Sequence, residues 1–273
     1  MDTSMNNAIL EISRVGKSYI SARTGEAVEA LVGVDLSVPP GEFLAVVGPS
    51  GCGKSTLLSL TAGFIQPSSG EIRFKGVPVA GPSPERGVMF QDYALFPWKT
   101  VAGNIAFGPR ARGVPQAVRQ QRVRELIRIV GLEGFDHRYP HELSGGMRQR
   151  CALARMLANE PELWLMDEPL AAVDQQTRII LQDELLRLWG DSSRESGRPT
   201  VIFVTHAIDE AVLLADRIVV LARRPGRIKA IVDNPLPRPR PALRASPEFA
   251  ALANEVWGLI RDEAVKAIEE EVG

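Results

Sequence analysis

The chain has 273 residues, 45% of them apolar, which is enough to bury one large core or two modest ones and is unlike a disordered composition. Lysine and arginine number 32 against 33 aspartate and glutamate residues, so there is no global basic field to hold nucleic acid by counterion release, and no nucleic-acid partner is expected. The two cysteines, Cys52 and Cys151, form no Cys-x-x-Cys pair and fit a reduced compartment better than a disulfide framework.

At the start, Met1 to Asn7 lack the basic flank and apolar stretch of a signal peptide, and no run in the chain reaches the ~20 apolar residues that span a bilayer. A cytoplasmic location is therefore expected, with any membrane role exercised through a partner. The alternating segments Ile9 to Ile20 and Ala27 to Val38, followed by the turn Pro39-Pro40-Gly41, predict antiparallel strands leading into a third strand, Phe43 to Val47. That third strand is apolar on both faces, as a central buried strand should be, and a helix is predicted to begin near Lys54.

Between that strand and that helix lies Gly48-Pro49-Ser50-Gly51-Cys52-Gly53-Lys54-Ser55, which fits the phosphate-loop pattern G-x-x-x-x-G-K-[ST]. Glycines let backbone N–H groups converge on phosphate oxygens and the helix N-terminus adds a favourable dipole. Lys54 neutralises the terminal phosphates, and Ser55 can ligate Mg²⁺. An ordinary Gly-rich turn would not account for all eight positions in their strand-to-helix setting. Cys52 occupies a variable position of the loop and reads as a small packing residue.

From Gln91 to about Glu160 the pattern turns helical. Val118, Val123, Leu126, Ile127 and Val130 recur at helical spacing, Gly131 supplies a stop, and a second helix is predicted from about Met147. Just before it, Leu143-Ser144-Gly145-Gly146-Met147 combines an N-cap residue with two glycines, a second anion site at a helix N-terminus in the same chain. A plain helix cap is the alternative. His137 and His141 have metal-like spacing, but Pro140 between them breaks any shared helix face and no further ligands lie nearby, so they read as solvated or structural.

Buried strands return at Leu163 to Met166, Val201 to Val204 and Ile218 to Leu221, separated by helices near Gln175 to Trp189 and Ala207 to Ala215, which predicts a mostly parallel sheet. The first of these ends in Asp167-Glu168, two adjacent carboxylates at the C-terminal strand edge where ligands bind in open α/β sheets. Asp167 is placed to hold Mg²⁺, directly or through water, and Glu168 to reach a hydrolytic water; a solvated strand end is the alternative. The tail opens with Pro235-Leu-Pro-Arg-Pro-Arg-Pro241, read as a stiff extended linker. It closes in a helix with Ser246 as N-cap, Pro247 at the first position, and an apolar face of Phe249, Leu252, Val256, Leu259 and Ile260.

Taken together, these segments resemble an ABC-type ATPase over nearly the whole chain, with Walker A at Gly48 to Ser55, the signature loop at Ser144 to Met147 and Walker B ending at Asp167. The resemblance implies an α/β fold, a P-loop NTPase of ABC type with a mostly parallel core sheet, an antiparallel N-terminal β subdomain and a helical subdomain. It implies an ATPase domain over residues 1–232, with the helical subdomain inserted at about 92–158, and a linker and terminal helix at 233–273. ATP would be held by Gly48 to Ser55 with Thr56, by Gln91 and by Tyr19, whose ring resembles the one that stacks on adenine; core packing is the alternative for Tyr19. Mg²⁺ would be held by Ser55, Gln91 and Asp167, Glu168 and His206 would be catalytic, and Ser144, Gly145, Gly146 and Met147 would act on the ATP of a second copy.

The partners implied are a homodimer formed with ATP, an integral membrane permease, and a periplasmic or extracellular solute-binding protein, with the chain itself peripheral on the inner face of the membrane. Ala171-Ala-Val-Asp174 departs from the family's more usual Ser-Ala-Leu-Asp, which removes a hydroxyl while keeping Asp174. Gln91-Asp-Tyr-Ala-Leu-Phe-Pro-Trp98 and Arg224-Pro-Gly-Arg-Ile228 are similar to the import ATPases of the nitrate, aliphatic sulfonate and taurine group. Phe96, Pro97 and Trp98 are suited to form an exposed groove for a permease helix, burial in the helical insertion being the alternative. Competing functions are a non-transport ABC ATPase and a regulatory nucleotide-binding module. The first is opposed by the short span between the two loops, the second by the presence of Glu168 and His206.

Overall fold

The structure, a computed structural model, describes residues 8–21, 25–190 and 197–272, with side chains described to residue 261 and at 263. Met1 to Asn7, read above for the lack of a signal sequence, lie outside the described residues. In chain order the elements begin with β1 (Leu10–Ile20), β2 (Ala27–Val38), β3 (Phe43–Val47), α1 (Lys54–Ala62), β4 (Ser69–Phe74), β5 (Val77–Pro78) and β6 (Arg86–Met89). Next come α2 (Val101–Ile105), α3 (Phe107–Ala111), α4 (Gln116–Ile129), α5 (Gly145–Leu157), β7 (Leu163–Asp167) and α6 (Gln175–Gly190). The chain continues through β8 (Thr200–Val204), α7 (Ile208–Leu214), β9 (Arg217–Leu221) and β10 (Ile228–Asp233) to α8 (Pro247–Val272).

The chain divides into two compact units, Met1–Ser83 with Arg198–Gly273, and Pro84–Gly197. In the first, β1 pairs antiparallel with β2 from Leu10↔Val38 to Ile20↔Ala27, and β4 and β5 extend this sheet in the order β2-β1-β4-β5. A second group of strands runs β10-β9-β3-β8, with β3 parallel to both neighbours and β10 antiparallel at the edge. All five side chains of β3 are fully buried, which explains why Phe43 to Val47 carries no alternation: it has a packed layer on each face. Phe43 meets Phe203 of β8 with ring centroids 5.8 Å apart.

The segment after β10, expected as a stiff extended linker, is extended, and its arginines tie it to the first unit. Arg238 donates to Asp216 at 2.7 Å and to the Leu214 carbonyl at 2.6 Å, and the buried Arg240 donates to the Ala215 carbonyl at 2.7 Å. Asn234 adds bonds to the carbonyls of Val212 and Ala215, so the last turn of α7 is capped by the tail. Burial, with Arg238 beside it, pushes the Arg240 guanidinium down to about 10. As expected, α8 starts at a Ser246 cap whose Oγ accepts from the Phe249 N–H at 3.2 Å. Phe249, Leu252 and Val256 are buried, and the helix packs on α7, β9 and β10, which places residues beyond 232 in the first unit.

In the second unit β6 and β7 pair in parallel from Arg86↔Leu163 to Met89↔Met166. The helices α2 to α5 match the expected helical stretch, but the unit also takes in β6, β7 and α6, and so is wider than 92–158. Its core includes Val123, Leu126 and Ile127 of α4 together with Cys151, Leu153, Ala154 and Leu157 of α5. Among the described residues no helix is long and apolar enough to cross a membrane.

Candidate functional site

In the first unit the chain leaves buried β3 at Val47, turns through Gly48 to Gly53 and enters α1 at Lys54. Two glycines are required here by space. A Cβ on Gly53, at φ 96°, would lie 2.6 Å from Leu31 Cδ2, and one on Gly48 would lie 2.7 Å from the Leu221 carbonyl oxygen. The loop is thus pressed between β2 and β9. Lys54 is only 8% exposed, and its ammonium donates to the carbonyls of Gly48 at 2.8 Å and Pro49 at 2.9 Å. A cation held on its own loop needs only to exchange two neutral carbonyls for phosphate oxygens, at little cost in side-chain ordering. Ser55 is exposed at the start of α1, while Cys52 is buried. Burial raises the Cys52 thiol despite the opposing charge of Lys54, so it is protonated and inert, as the sequence suggested.

His206 follows β8, whose Val204 is in register with Val46 of β3, so the histidine and the phosphate loop leave the same edge of this sheet. His206 is exposed, and its neighbours are fixed. The buried Thr205 hydroxyl donates to Glu210 Oε2 at 2.7 Å and accepts from the Ala207 N–H at 3.0 Å. Tyr19, on β1, is 43% exposed with the Lys17 ammonium 5.4 Å from its ring centroid, so it is not a core residue.

In the second unit Met89 of β6 is in register with Met166 of β7, which places Gln91 and the Asp167-Glu168 pair at one strand edge. The backbone of Glu168 has φ 49°, a left-handed conformation uncommon for a non-glycine residue. The residue that holds it was not singled out in the sequence. Gln149 of α5, 2% exposed, donates to the Glu168 carbonyl at 3.0 Å and accepts from the Ala172 N–H at 3.0 Å. One side chain of α5 therefore fixes both sides of the segment after β7.

Ser144 is the N-cap of α5, its Oγ accepting from the Met147 N–H at 3.2 Å, and it is exposed. Gly145 and Gly146 lie in the first turn, whose N–H groups have no acceptor within the helix. Asp174 caps α6, accepting from the Thr177 N–H at 2.9 Å and its hydroxyl at 2.6 Å, and these bonds hold its carboxyl below the usual range. The hydroxyl missing at Ala171 is not replaced by Asp174, which is turned to its own helix. His137 pairs with Asp136 and His141 stacks on Tyr139, and both are exposed, consistent with solvated or structural roles.

The aromatic loop after Gln91 is exposed at its tip. Trp98 is 70% exposed, while Phe96 is half-buried against Phe107, with centroids 4.4 Å apart, and under the Arg155 guanidinium. A second residue unnoticed in the sequence, the buried Asn104, shapes this loop: it accepts from the Phe96 N–H at 2.9 Å and donates to the carbonyls of Phe96, Lys99 and Thr100.

A family model described as ABC transporter matches residues 31–171. An uncharacterized ABC transporter ATP-binding protein of Methanocaldococcus jannaschii is 50% identical, covering 90% of this chain and 89% of its own. A taurine import ATP-binding protein of Roseobacter denitrificans is 44% identical, covering 91% of each chain. Among solved structures, a dimeric ATP-binding cassette in a post-hydrolysis state with ADP and Pi superimposes with a TM-score of 0.71 at 29% identity, over 82% of this chain and 98% of that one. The cbiO1 protein of Clostridium perfringens, part of the cbiONQ ABC transporter complex, gives a TM-score of 0.70 at 27% identity, over 91% and 95% of the chains.

Proposed function

The chain belongs to the ABC transporter family, and from that premise we propose that it powers an importer of the nitrate, aliphatic sulfonate and taurine group as an ATP-dependent homodimer on a separate membrane permease. It is an ABC-type ATPase with the P-loop NTPase fold. The observation that carries the proposal is the phosphate loop itself: a buried strand, a turn closed to side chains at Gly48 and Gly53, and a lysine ammonium already seated on the loop.

In this reading Gly48 to Thr56 bind the phosphates of ATP, and Tyr19 offers an exposed ring to adenine. The donors assigned to the cation, the Ser55 hydroxyl, the Gln91 amide oxygen and the Asp167 carboxylate, are all hard oxygens, which suits Mg²⁺ rather than a thiophilic metal. When bound, Mg²⁺ neutralises phosphate charge. Glu168 polarises the attacking water, with its backbone held by Gln149, and His206 contacts the terminal phosphate. Ser144 to Met147 complete the site of the second copy through the open first turn of α5.

Trp98 and Phe96 meet the permease, whose choice of solute is shared with a periplasmic or extracellular binding protein. The chain works at the cytoplasmic face as a peripheral subunit. Similarity to taurine import subunits supports taurine or a related sulfonate as solute. The test is ATP hydrolysis by the complex reconstituted in liposomes with its permease and binding protein, against taurine, alkanesulfonates, nitrate, bicarbonate and pyrimidine precursors. Stimulation by one solute of the panel supports the group assignment. Vigorous basal hydrolysis with no response to any of them would move the protein to another branch.

A further inference from the structure

The turn between β9 and β10 contains Arg224-Pro-Gly-Arg, and its tip is wedged against the phosphate loop. The turn is closed by the Ala222 N–H donating to the Arg227 carbonyl at 2.9 Å. Its Gly226 N–H donates to the Ala30 carbonyl, and its carbonyl accepts from the Val32 N–H, both at 2.9 Å, so the tip is bonded to β2 on two sides. A Cβ on Gly226 would lie 2.0 Å from the Cys52 carbonyl oxygen and 2.9 Å from Leu31 Cδ2, the same methyl that closes on Gly53. Gly226 lacks the left-handed φ that would by itself demand glycine, so it is the contact with the phosphate loop that excludes a side chain.

The base of the same turn is gripped by α8. Glu263, 8% exposed, accepts from the Arg223 N–H at 3.1 Å and pairs with the Lys229 ammonium at 3.0 Å, and Lys229 also donates to the Leu259 carbonyl at 2.8 Å. Arg223 precedes the tip and Lys229 follows it, so one buried carboxylate joins both ends of the turn. Burying a carboxylate costs free energy unless it is paired, and Phe249, Leu252 and Val256 already anchor the helix by apolar packing. Glu263 therefore adds position rather than adhesion.

We propose that α8 sets the affinity of the phosphate loop for ATP through this turn, with Gly226 and Glu263 as positioning residues. The inference rests on the reading of Gly48 to Ser55 as the ATP loop. Displacing α8 releases Glu263 from Arg223 and Lys229, the turn backs away from Cys52, and the loop loses the wall against which its Cys52-Gly53 segment is set. Anything that binds or displaces the tail helix then changes nucleotide occupancy without touching the nucleotide.

The test is equilibrium binding of a fluorescent ATP analogue with Mg²⁺ to the full chain, alongside thermal unfolding without nucleotide. Gly226→Ala is expected to weaken binding by about 10-fold to 100-fold, since displacement of positioned groups by about 1 Å carries costs of that order. Glu263→Ala is expected to weaken it by about 3-fold to 30-fold, the usual range for residues coupling two sites. Glu263→Gln, which keeps an acceptor for the Arg223 N–H, should recover part of that loss. A residue with only a structural role would lower the unfolding temperature and leave the affinity of the folded protein intact. If Gly226→Ala does not fold, the Glu263 pair decides. Wild-type affinity in folded Glu263→Ala overturns the proposal alone, whereas failure of the wild-type chain to bind the analogue overturns the ATP reading and this proposal with it.

Discussion

Replacing Gln149 with methionine keeps the volume of a buried side chain and deletes both of its hydrogen bonds. The carbonyl of Glu168 and the N–H of Ala172, each held at 3.0 Å, lose their partner. An unsatisfied buried polar group costs about 1 to 3 kcal/mol, and because both sites are only partly buried the lower half of the range applies to each, giving about 2 to 4 kcal/mol in total. The Glu168 backbone at φ 49° is then free to relax, which moves its carboxylate from where a water is to be polarised. Urea unfolding of the full chain should show the loss of stability, and steady-state ATPase assays should show kcat falling by about 10-fold or more with little change in KM. Gln149→Glu keeps the acceptor for Ala172 and loses the donor to Glu168, so it should separate the two bonds. A Gln149→Met protein within about 1 kcal/mol of wild type and with unchanged kcat would refute the role given to this side chain.

Two further outcomes follow from the surface and the buried thiols. Alanine at both Phe96 and Trp98 should lower solute-stimulated transport in the reconstituted complex several-fold while leaving ATP-analogue affinity unchanged; a parallel loss of affinity would make them structural residues of the second unit. Burial pushes the Cys151 thiol up to about 12, so raising the pH from 7 to 9 creates almost no Cys151 thiolate in the folded protein, and burial raises the Cys52 thiol as well. Labelling by a thiol reagent should stay slow across that interval and become fast for both cysteines only in denaturant, and rapid labelling of either in the native chain would contradict their burial.

The strand-to-loop-to-helix course around Gly48 to Ser55 was legible because three local signals coincide there: a run apolar on both faces, glycines at fixed offsets and a helix start at the lysine. The same holds for Ser144, whose cap to Met147 is a short-range bond between residues three apart. What escaped the sequence depends on distant partners or on elements too short for a period to show. β5 has two residues, β6 four, and α2 and α3 five each, below the length at which alternation or helical spacing can be counted, whereas β4 and β10, six residues each, were simply not singled out. Gln149 and Asn104 are ordinary helix residues in the sequence, and only the backbone groups folded against them give them their roles. The Pro-Arg tail shows the same division: its extension is local proline chemistry, whereas the guanidinium partners, Asp216 and the carbonyls closing α7, lie far away in sequence.

In the proposed dimer ATP is hydrolysed between two copies of this chain, with Gly48 to Ser55 of one and Ser144 to Met147 of the other on the same nucleotide. Glu168→Gln removes the basic carboxylate while keeping side-chain volume, and is expected to slow turnover by about 10²-fold to 10⁴-fold, the range for a positioned general base, with ATP binding retained. Size-exclusion chromatography with light scattering should then find Glu168→Gln monomeric without nucleotide and dimeric with ATP and Mg²⁺. Adding Ser144→Arg should return it to a monomer by blocking the opposing phosphate site. A Glu168→Gln, Ser144→Arg protein that still dimerises with ATP would contradict the shared site.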